Sequence, residues 1–354
     1  MELPRFDVPI VLAPMGGVAT VELVVAVCEA GGFAVLPGAY LTPEQIVAQA
    51  AAVRAATRKP FGINLFVEEP PYRADQRAVR HAQERLNAFR DELGIPHPAT
   101  PAVPADRYDA QIDAVIDARP DAFTFTFGIP DRATLDRFRG AGIAAWGTAT
   151  TVAEARALRE AGVDGIFAQG AEAGAHRGTF LAPAAESLVG TLALVPQVVD
   201  ATRLPVIAAG GIGDGRGVAA VLALGARAAA LGTSFLLANE SDISRAYRDA
   251  LKTERVHDSV LTRAFSGRTA RGIPNRVTRA LRDPDDIAPY PFQNAMTRDI
   301  RNAAAAAGNP EYLSLWAGQA ASLARELPAG EIVKLLMAEA RASLDAAREA
   351  LRVR

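Results

Sequence analysis

Eight short apolar runs, separated by stretches that carry helix signals, recur along the chain up to residue 235. They start at Ile10 (IVLAP), Phe33 (FAVLPG), Phe61 (FGINLF), Ala122 (AFTFTF), Ile143 (IAAWGT), Gly165 (GIFAQG), Pro205 (PVIAAGG) and Ala228 (AAALGT). Continuous, branched and short, each run suits a strand buried on both faces. The intervals supply the helices. Thr20 precedes Leu23, Val24 and Val27 on one helical face, closed by Gly31 and Gly32, an N-cap followed by a glycine stop. Thr42-Pro43-Glu44-Gln45 offers an N-cap, a proline at the first helical position and a capping-box glutamine, and Thr151 with Glu154 repeats the box. No hairpin signal interrupts the order. Strand-helix alternation without hairpins gives a parallel sheet, and eight units give closure into an α/β TIM (β/α)8 barrel. The open doubly wound sheet is the rival, but its dinucleotide fingerprint would follow the first strand. Here the glycine-rich turns follow the sixth, seventh and eighth runs, which favours the barrel.

Two regions break the alternation. Residues 68–119 hold a charged helical piece around Arg77 to Glu92 and a proline-rich piece around Ile95 to Pro104. That length exceeds an ordinary connection and reads as an excursion over the barrel surface or mouth. Past Phe235, Ser241 to Arg255 reads as helix, Phe265 to Tyr290 is rich in arginine, glycine and proline, and an alanine-rich helix is expected from Glu311 onward. The expected division is a barrel over residues 1–264 and a helical domain over 265–354 that caps the mouth.

Composition narrows the partners. A net charge of −2 with both signs interspersed gives no footprint for nucleic acid or an anionic membrane. The longest apolar stretch, Val21 to Leu41, is broken by Glu22, Glu29 and a Gly-Gly pair, so no membrane span is expected. The single cysteine, Cys28, excludes an intrachain disulfide and lies on the buried face of the first expected helix, where a core thiol is expected and a reducing cytoplasm fits. The start MELPRFDVPI lacks the pattern of a secretion signal. The expected molecule is a cytoplasmic monomer or homodimer acting on a small molecule.

The chemistry gathers in the last three turns. Gly210, Gly211 and Gly213 follow the seventh run, and Gly232 and Thr233 follow the eighth. Glycine lets backbone N–H groups approach a ligand closely, and barrels of this kind often hold a phosphate between these two turns. After the sixth run, AQGAEAGAHRGTF spans Ala168 to Phe180 and carries His176. Histidine suits proton transfer near neutral pH. His81 and His97 fall in the excursion and His257 in a charged helical region, where solvated positions are expected. Asn64 and Gln169 come from strand ends facing the same mouth, and neutral amides there can read the edge of a planar ring. Glu172 is expected to be structural, with Arg177 as a candidate partner; Arg216 is expected at an exterior helix start, and Tyr290 could line the pocket.

Together these residues resemble the nitronate monooxygenase family through APMGG at Ala13, GINLF at Gly62, AQGAEAGAHRG at Ala168, LVPQVVD at Leu194, PVIAAGGIGDGRG at Pro205 and ALGTSF at Ala230. The resemblance covers nearly the whole chain, and its specificity lies in the ordered set. It implies an FMN-dependent barrel that oxidises alkyl nitronates, such as propionate 3-nitronate, and nitroalkanes with O2, giving a carbonyl compound and nitrite. By resemblance, Met15 and Gly16 would meet the flavin ring, and Asn64 and Gln169 would hydrogen-bond FMN. Gly174, Gly210, Gly211, Ala230, Leu231, Gly232 and Thr233 would line the cofactor, with no metal required and His176 as the catalytic base. The family pattern has glycine before the histidine where this chain has Ala175; alanine strains a positive φ there or else narrows the pocket. Other readings are an FMN-dependent NAD(P)H:quinone or enoyl reductase on the same barrel, a flavin-binding protein without turnover, and a flavin-free lyase or synthase.

Overall fold

The computed structural model describes residues 4, 6–67, 74–102 and 107–352. The expected excursion therefore lies outside the described residues at 68–73 and 103–106. All eight apolar runs form strands: β1 (Ile10–Leu12), β2 (Phe33–Pro37), β3 (Phe61–Phe66), β4 (Ala122–Thr126), β5 (Ala144–Ala149), β6 (Gly165–Gln169), then, after the two-residue β7 (Ala175–His176), β8 (Val206–Ala209) and β9 (Ala228–Leu231). Apart from β7 they form one closed barrel, each strand parallel to its neighbours, with β9 closing on β1 where Val11 faces Ala230. Side chains alternate across the wall. Val11, Phe33, Val35, Trp146 and Ile207 fill the interior, and Ile10, Leu12, Ala34 and Leu36 pack outward beneath the helices. Burial on both sides explains why the runs are continuous rather than alternating.

The outer ring begins with α1 (Val21–Glu29), capped by Thr20, and α2 (Pro43–Ala56), whose capping box between Thr42 and Gln45 is complete. The charged α3 (Gln76–Leu93) leaves the ring, and α4 (Tyr108–Ala118) rejoins it beside α2. Ile112 and Val115 bury one face of α4, three positions apart as a helix requires. Then come α5 (Arg132–Gly140), α6 (Val152–Ala161), α7 (Thr191–Thr202) and α8 (Gly215–Ala223). The second capping box is half made. Thr151 accepts from the Glu154 N–H, but the Glu154 carboxylate turns away to accept from the backbone and hydroxyl of Thr150 and from Thr179, Phe180 and Leu181.

After β9 the chain makes a long insertion before its last helix. It contains α9 (Arg245–Leu251), β10 (Val260–Thr262), β11 (Ala270–Gly272), α10 (Arg276–Ala280), α11 (Phe292–Met296) and α12 (Arg298–Ala306). Its helices share a second apolar cluster with α3, in which Leu86 and Phe89 join Phe265, Phe292 and Ile300. The helix expected from Glu311 starts later, as α13 (Ala329–Ala350). The segment before it runs extended along β11, with a bridge between Gly272 and Trp316, and Ile273 donates to Leu315 while Ala317 donates to Arg271. That pairing outweighs the helix propensity of its alanines. The capping segment thus returns to the barrel at its end, because α13 packs on α8 and α1 as the ring helix of the last strand.

The α8–α13 contact depends on a missing side chain. A Cβ on Gly215 would lie 2.3 Å from Glu339 Cβ, 2.4 Å from the Ala340 nitrogen and 2.6 Å from the Leu336 oxygen. Two of these atoms are backbone, so the helix itself would have to shift. Gly215→Ala is expected to lower stability in urea unfolding by about 1–3 kcal/mol, the usual range for overpacking. Gly330→Ala, whose Cβ would approach nothing closer than 3.9 Å, is expected to cost nothing; equal stability of the two variants would contradict this packing.

Candidate active site

A cavity of about 640 Å³ opens at the C-terminal ends of the barrel strands, the end at which such barrels place their chemistry. Its size is that of a cofactor or ligand pocket, ~300–1,000 Å³. Met15, Gly16, Asn64, Gln169, Gly174, His176, Gly210, Gly211, Ala230, Leu231, Gly232 and Thr233 all line it. Gly213 is not among the lining residues; its Cβ would strike Leu323 and Ala320 at 2.7–2.9 Å, so its glycine serves packing.

One wall is built from backbone. Gly210 (φ 104) and Gly211 (φ 72) occupy the left-handed region, which other residues enter only at a cost. Gly174 faces the inserted segment so closely that a Cβ would come within 2.6 Å of the Gly318 nitrogen. Gly318 in turn donates to Thr233 Oγ1 at 3.0 Å, holding the insertion against the turn after β9. Among the described residues no backbone carbonyl accepts from the N–H groups of Gly211, Gly232 or Thr233. Such a set of glycines and free donors fits an anionic phosphate.

The polar side chains are fixed from behind. Asn64, which lines the cavity, donates to Thr124 Oγ1 at 3.0 Å, and its amide oxygen has no hydrogen-bond partner among the described residues. Gln169 is committed more fully: its oxygen accepts from Gly178 N at 2.8 Å and from Arg177 at 3.0 Å, and its nitrogen donates to the His176 carbonyl at 3.0 Å. Arg177, fully buried, also donates to the carbonyls of Gln169, Gly170 and Ser187. Glu172 is not hydrogen-bonded to Arg177. Its carboxylate accepts from the Thr191 N–H at 2.9 Å and from the Thr191 hydroxyl at 2.9 Å, at the start of α7, where the helix dipole favours an anion. Arg216 lies at the exterior start of α8, paired with its N-cap Asp214 at 2.6 Å.

His176 lies in β7, which pairs with β11, so the insertion orders it. Its ring is boxed by Phe66 (6.0 Å), Phe127 (5.6 Å), Tyr290 (6.2 Å) and Trp316 (5.8 Å between centroids). Nε2 lies 2.8 Å from Ser266 Oγ. That hydroxyl donates to the Arg268 carbonyl at 3.0 Å, so its lone pairs receive Nε2–H and the basic lone pair rests on Nδ1. Burial, with Arg268 and Arg301 nearby, pushes the His176 pKa down to about 3. The imidazole is therefore neutral at physiological pH. Ala175 beside it has φ 58, so the alanine in place of glycine is strained by about 1–2 kcal/mol. Phe127, whose ring carries the Arg268 guanidinium at 3.7 Å, is likewise at φ 81. Strain of this kind concentrates where surrounding structure dictates a functional geometry.

The other three histidines lie at the surface, His81 on Asp286 and His97 on Asp91 at N–O distances of 2.9 Å or less, and His257 at 3.8 Å from Glu254. Cys28 is a buried thiol pushed up to about 12, chiefly by burial. Sequence reasoning missed Ser266, Trp316, Arg298 and Arg301, which reach the site from the insertion. No periodicity or spacing links those positions to His176; the pairing of β7 with β11 and the packing of α12 on α3 do.

The chain belongs to the nitronate monooxygenase family, whose model matches residues 2–339. It is 40% identical over 335 residues to a probable nitronate monooxygenase of Staphylococcus aureus, covering 94% of each chain. Among solved structures, nitroalkane oxidase from Streptomyces ansochromogenes superposes with a TM-score of 0.90 at 40% identity, covering 97% of this chain and 98% of that one. FabK from Thermotoga maritima superposes with a TM-score of 0.76 at 26% identity, over 98% and 96% of the two chains.

A depressed His176 pKa makes stability depend on pH in one direction. Below the ordinary value of 6.5 the unfolded chain takes up this proton and the folded one does not until about pH 3, so stability falls as pH drops through that window. Removing the imidazole removes this loss. His176→Asn is expected to gain on the wild type by about 1 kcal/mol or more between pH 7 and pH 4.5 in urea unfolding; an unchanged difference would mean that His176 titrates normally.

Proposed function

We propose that this chain binds FMN in the cavity and oxidises alkyl nitronates, propionate 3-nitronate among them, and their parent nitroalkanes with O2, yielding a carbonyl compound and nitrite in the cytoplasm. The observation that carries the reading is a neutral histidine, boxed by aromatic rings, in the same cavity as a glycine-built anion cradle. The donor set fits FMN. Gly211, Gly232 and Thr233 would take the phosphate through their N–H groups, and Asn64 and the remaining Gln169 N–H would meet the polar edge of the ring beside Met15 and Gly16. Bound there, FMN would supply the electron acceptor for the substrate carbon and the route to O2.

The protein's own part is proton handling and desolvation. A neutral nitroalkane must lose its α-proton before it can be oxidised. Nδ1 of His176 is the base for that step, its orientation set by Nε2–H on Ser266. The imidazolium formed would lie near Arg268 and Arg301, a cost that the adjacent nitronate charge offsets. Phe66, Phe127, Tyr290 and Trp316 keep water from the base, and the carbanion-like nitronate is thereby protected from reprotonation by solvent.

A substrate that arrives already ionised bypasses the base, which gives a direct test. His176→Gln is expected to lower kcat/KM for nitroethane by at least ~100-fold, the usual contribution of a positioned base. With ethyl nitronate the loss should stay below ~10-fold, and nitrite release reports both. Equal losses on the two substrates would remove His176 from proton abstraction, and no nitrite from either would overturn the proposed reaction.

A further inference from the structure

Behind the imidazole, away from the cavity lining, stands a cation that the proton-transfer step does not use. Arg268 lies in the turn between β10 and β11, two residues after Ser266. Its main chain holds that serine from both sides: the Arg268 carbonyl accepts from the Ser266 hydroxyl at 3.0 Å, and the Arg268 N–H donates to the same oxygen at 3.3 Å. Its side chain crosses to two other elements. One terminal nitrogen donates to the carbonyl of Thr179, on the loop that follows His176, and the guanidinium lies 3.7 Å from the centre of the Phe127 ring. That ring in turn meets the imidazole edge-on at 5.6 Å. Nε of Arg268 is buried without a hydrogen-bond partner, and among the described residues no carboxylate pairs with the guanidinium. Glu154 and Tyr290 act on it only through space, and burial pulls its pKa down to about 10. Enclosing a cation with a donor unmet is costly, and the contacts of this one converge on a single imidazole.

Resting on the assignment of His176 as the base, we propose that Arg268 is a positioning residue for proton abstraction. Its side chain ties the Ser266 turn to the loop that carries His176 and holds Phe127 edge-on to the ring, which keeps Nε2 the hydrogen-bonded nitrogen and Nδ1 the free one. The strand pairing leaves this undone. It fixes the backbone of His176 against Ala270, whereas Ser266 lies beyond the ladder, in a turn that the Arg268 side chain anchors to Thr179. The same charge opposes protonation of the ring. Arg268 and, less strongly, Arg301 of α12 are the charged groups that act on His176. Arg271 of β11 turns to Ala171 and Ser259, Arg263 to Gly267, and Arg177 to the carbonyls on its own side. The carboxylates nearest in the fold are turned elsewhere, Asp299 to Arg90, Glu172 to Thr191 and Glu154 to Thr150; the Tyr290 phenol is the other ionisable group against the ring.

The chain has four histidines, so nitrogen-15 NMR of histidine-labelled, FMN-loaded protein reads the ring directly, with His176 assigned by its loss in His176→Asn. The wild type is expected to show hydrogen on Nε2 alone and a ring still neutral at about pH 4.5. In Arg268→Met both tautomers should appear, and the ring should be partly protonated at that pH through a shift of at least ~1 unit, the usual effect of removing a nearby like charge. The kinetic companion is a split between substrates. In Arg268→Met, kcat/KM for nitroethane should fall at least ~10-fold, and for ethyl nitronate, which needs no base, it should stay within ~2-fold. Arg268→Lys keeps the charge but not the planar fork. It should leave the ring neutral at about pH 4.5 while admitting part of the second tautomer, and it decides the matter if Arg268→Met does not fold. Should His176→Gln spare nitroethane, the base assignment fails, and the tautomer spectra still decide whether Arg268 positions the ring. Hydrogen on Nδ1 in the wild type, wild-type tautomer and titration in both variants, or equal losses on nitroethane and ethyl nitronate would overturn the role of Arg268.

Discussion

The geometry of the site depends on a guanidinium buried without a carboxylate partner. Arg177 is fully enclosed, and it is stabilised by the carbonyls of Gln169, Gly170 and Ser187 and by the Gln169 amide oxygen. Taking such a charge out of water costs several kcal/mol unless its donors are met; here both terminal nitrogens find acceptors, while Nε has none among the described residues. Glu154 and Glu172 oppose that cost from a distance, yet burial dominates and pulls the Arg177 pKa down to about 10. The loop from β6 to α7 therefore cannot relax without exposing or orphaning this group. His176 is its chain neighbour and Gln169 is its ligand, so one buried cation fixes both the proposed base and an amide of the proposed flavin site. Glu154 secures the next turn from the other side. Burial would raise its pKa, but hydrogen bonds from Thr150, Phe180 and Leu181 outweigh this and hold it below the ordinary carboxylate range.

The positions that give the site its shape are also those that cost stability. Ala175 and Phe127 hold a positive φ, and His176 stays uncharged where an exposed histidine would be partly protonated. The compensation lies in the second apolar cluster, which ties the insertion to α3, and in α13, which completes the ring after the insertion has crossed the mouth. The insertion thus has its own core and both of its ends on the barrel. It can carry Ser266, Trp316 and Arg301 to the cavity without loosening the strands.

What the sequence revealed and what it hid divide along the same line. Strands buried on both faces and βα turns built of glycine are local features, so all eight strands, the caps at Thr20 and Thr42, and the lining residues from Met15 to Thr233 were legible. The Glu154 capping box was misread because three N–H groups and two hydroxyls compete for one carboxylate, and only the fold brings the loop after β7 within reach. The helix expected from Glu311 failed for a similar reason, since pairing with β11 offers that segment better partners than its own turn. Ser266 and the α12 arginines carry no local mark of their place at the site. Their proximity to His176 is set by the antiparallel pairing of β7 with β11 and by the packing of α12 on α3, contacts made across long stretches of chain.

The central claim is that the cavity holds a flavin that nitronates reduce directly. Its most direct test is anaerobic mixing of the FMN-loaded protein with propionate 3-nitronate, and separately with NADH, while absorbance is followed at roughly 450 nm, where oxidised flavins absorb. The account predicts rapid bleaching by the nitronate and none by NADH, with colour returning when air is admitted. Bleaching by NADH alone would contradict it in favour of a reductase, and a protein that stays colourless after FMN is added would contradict the flavin site itself.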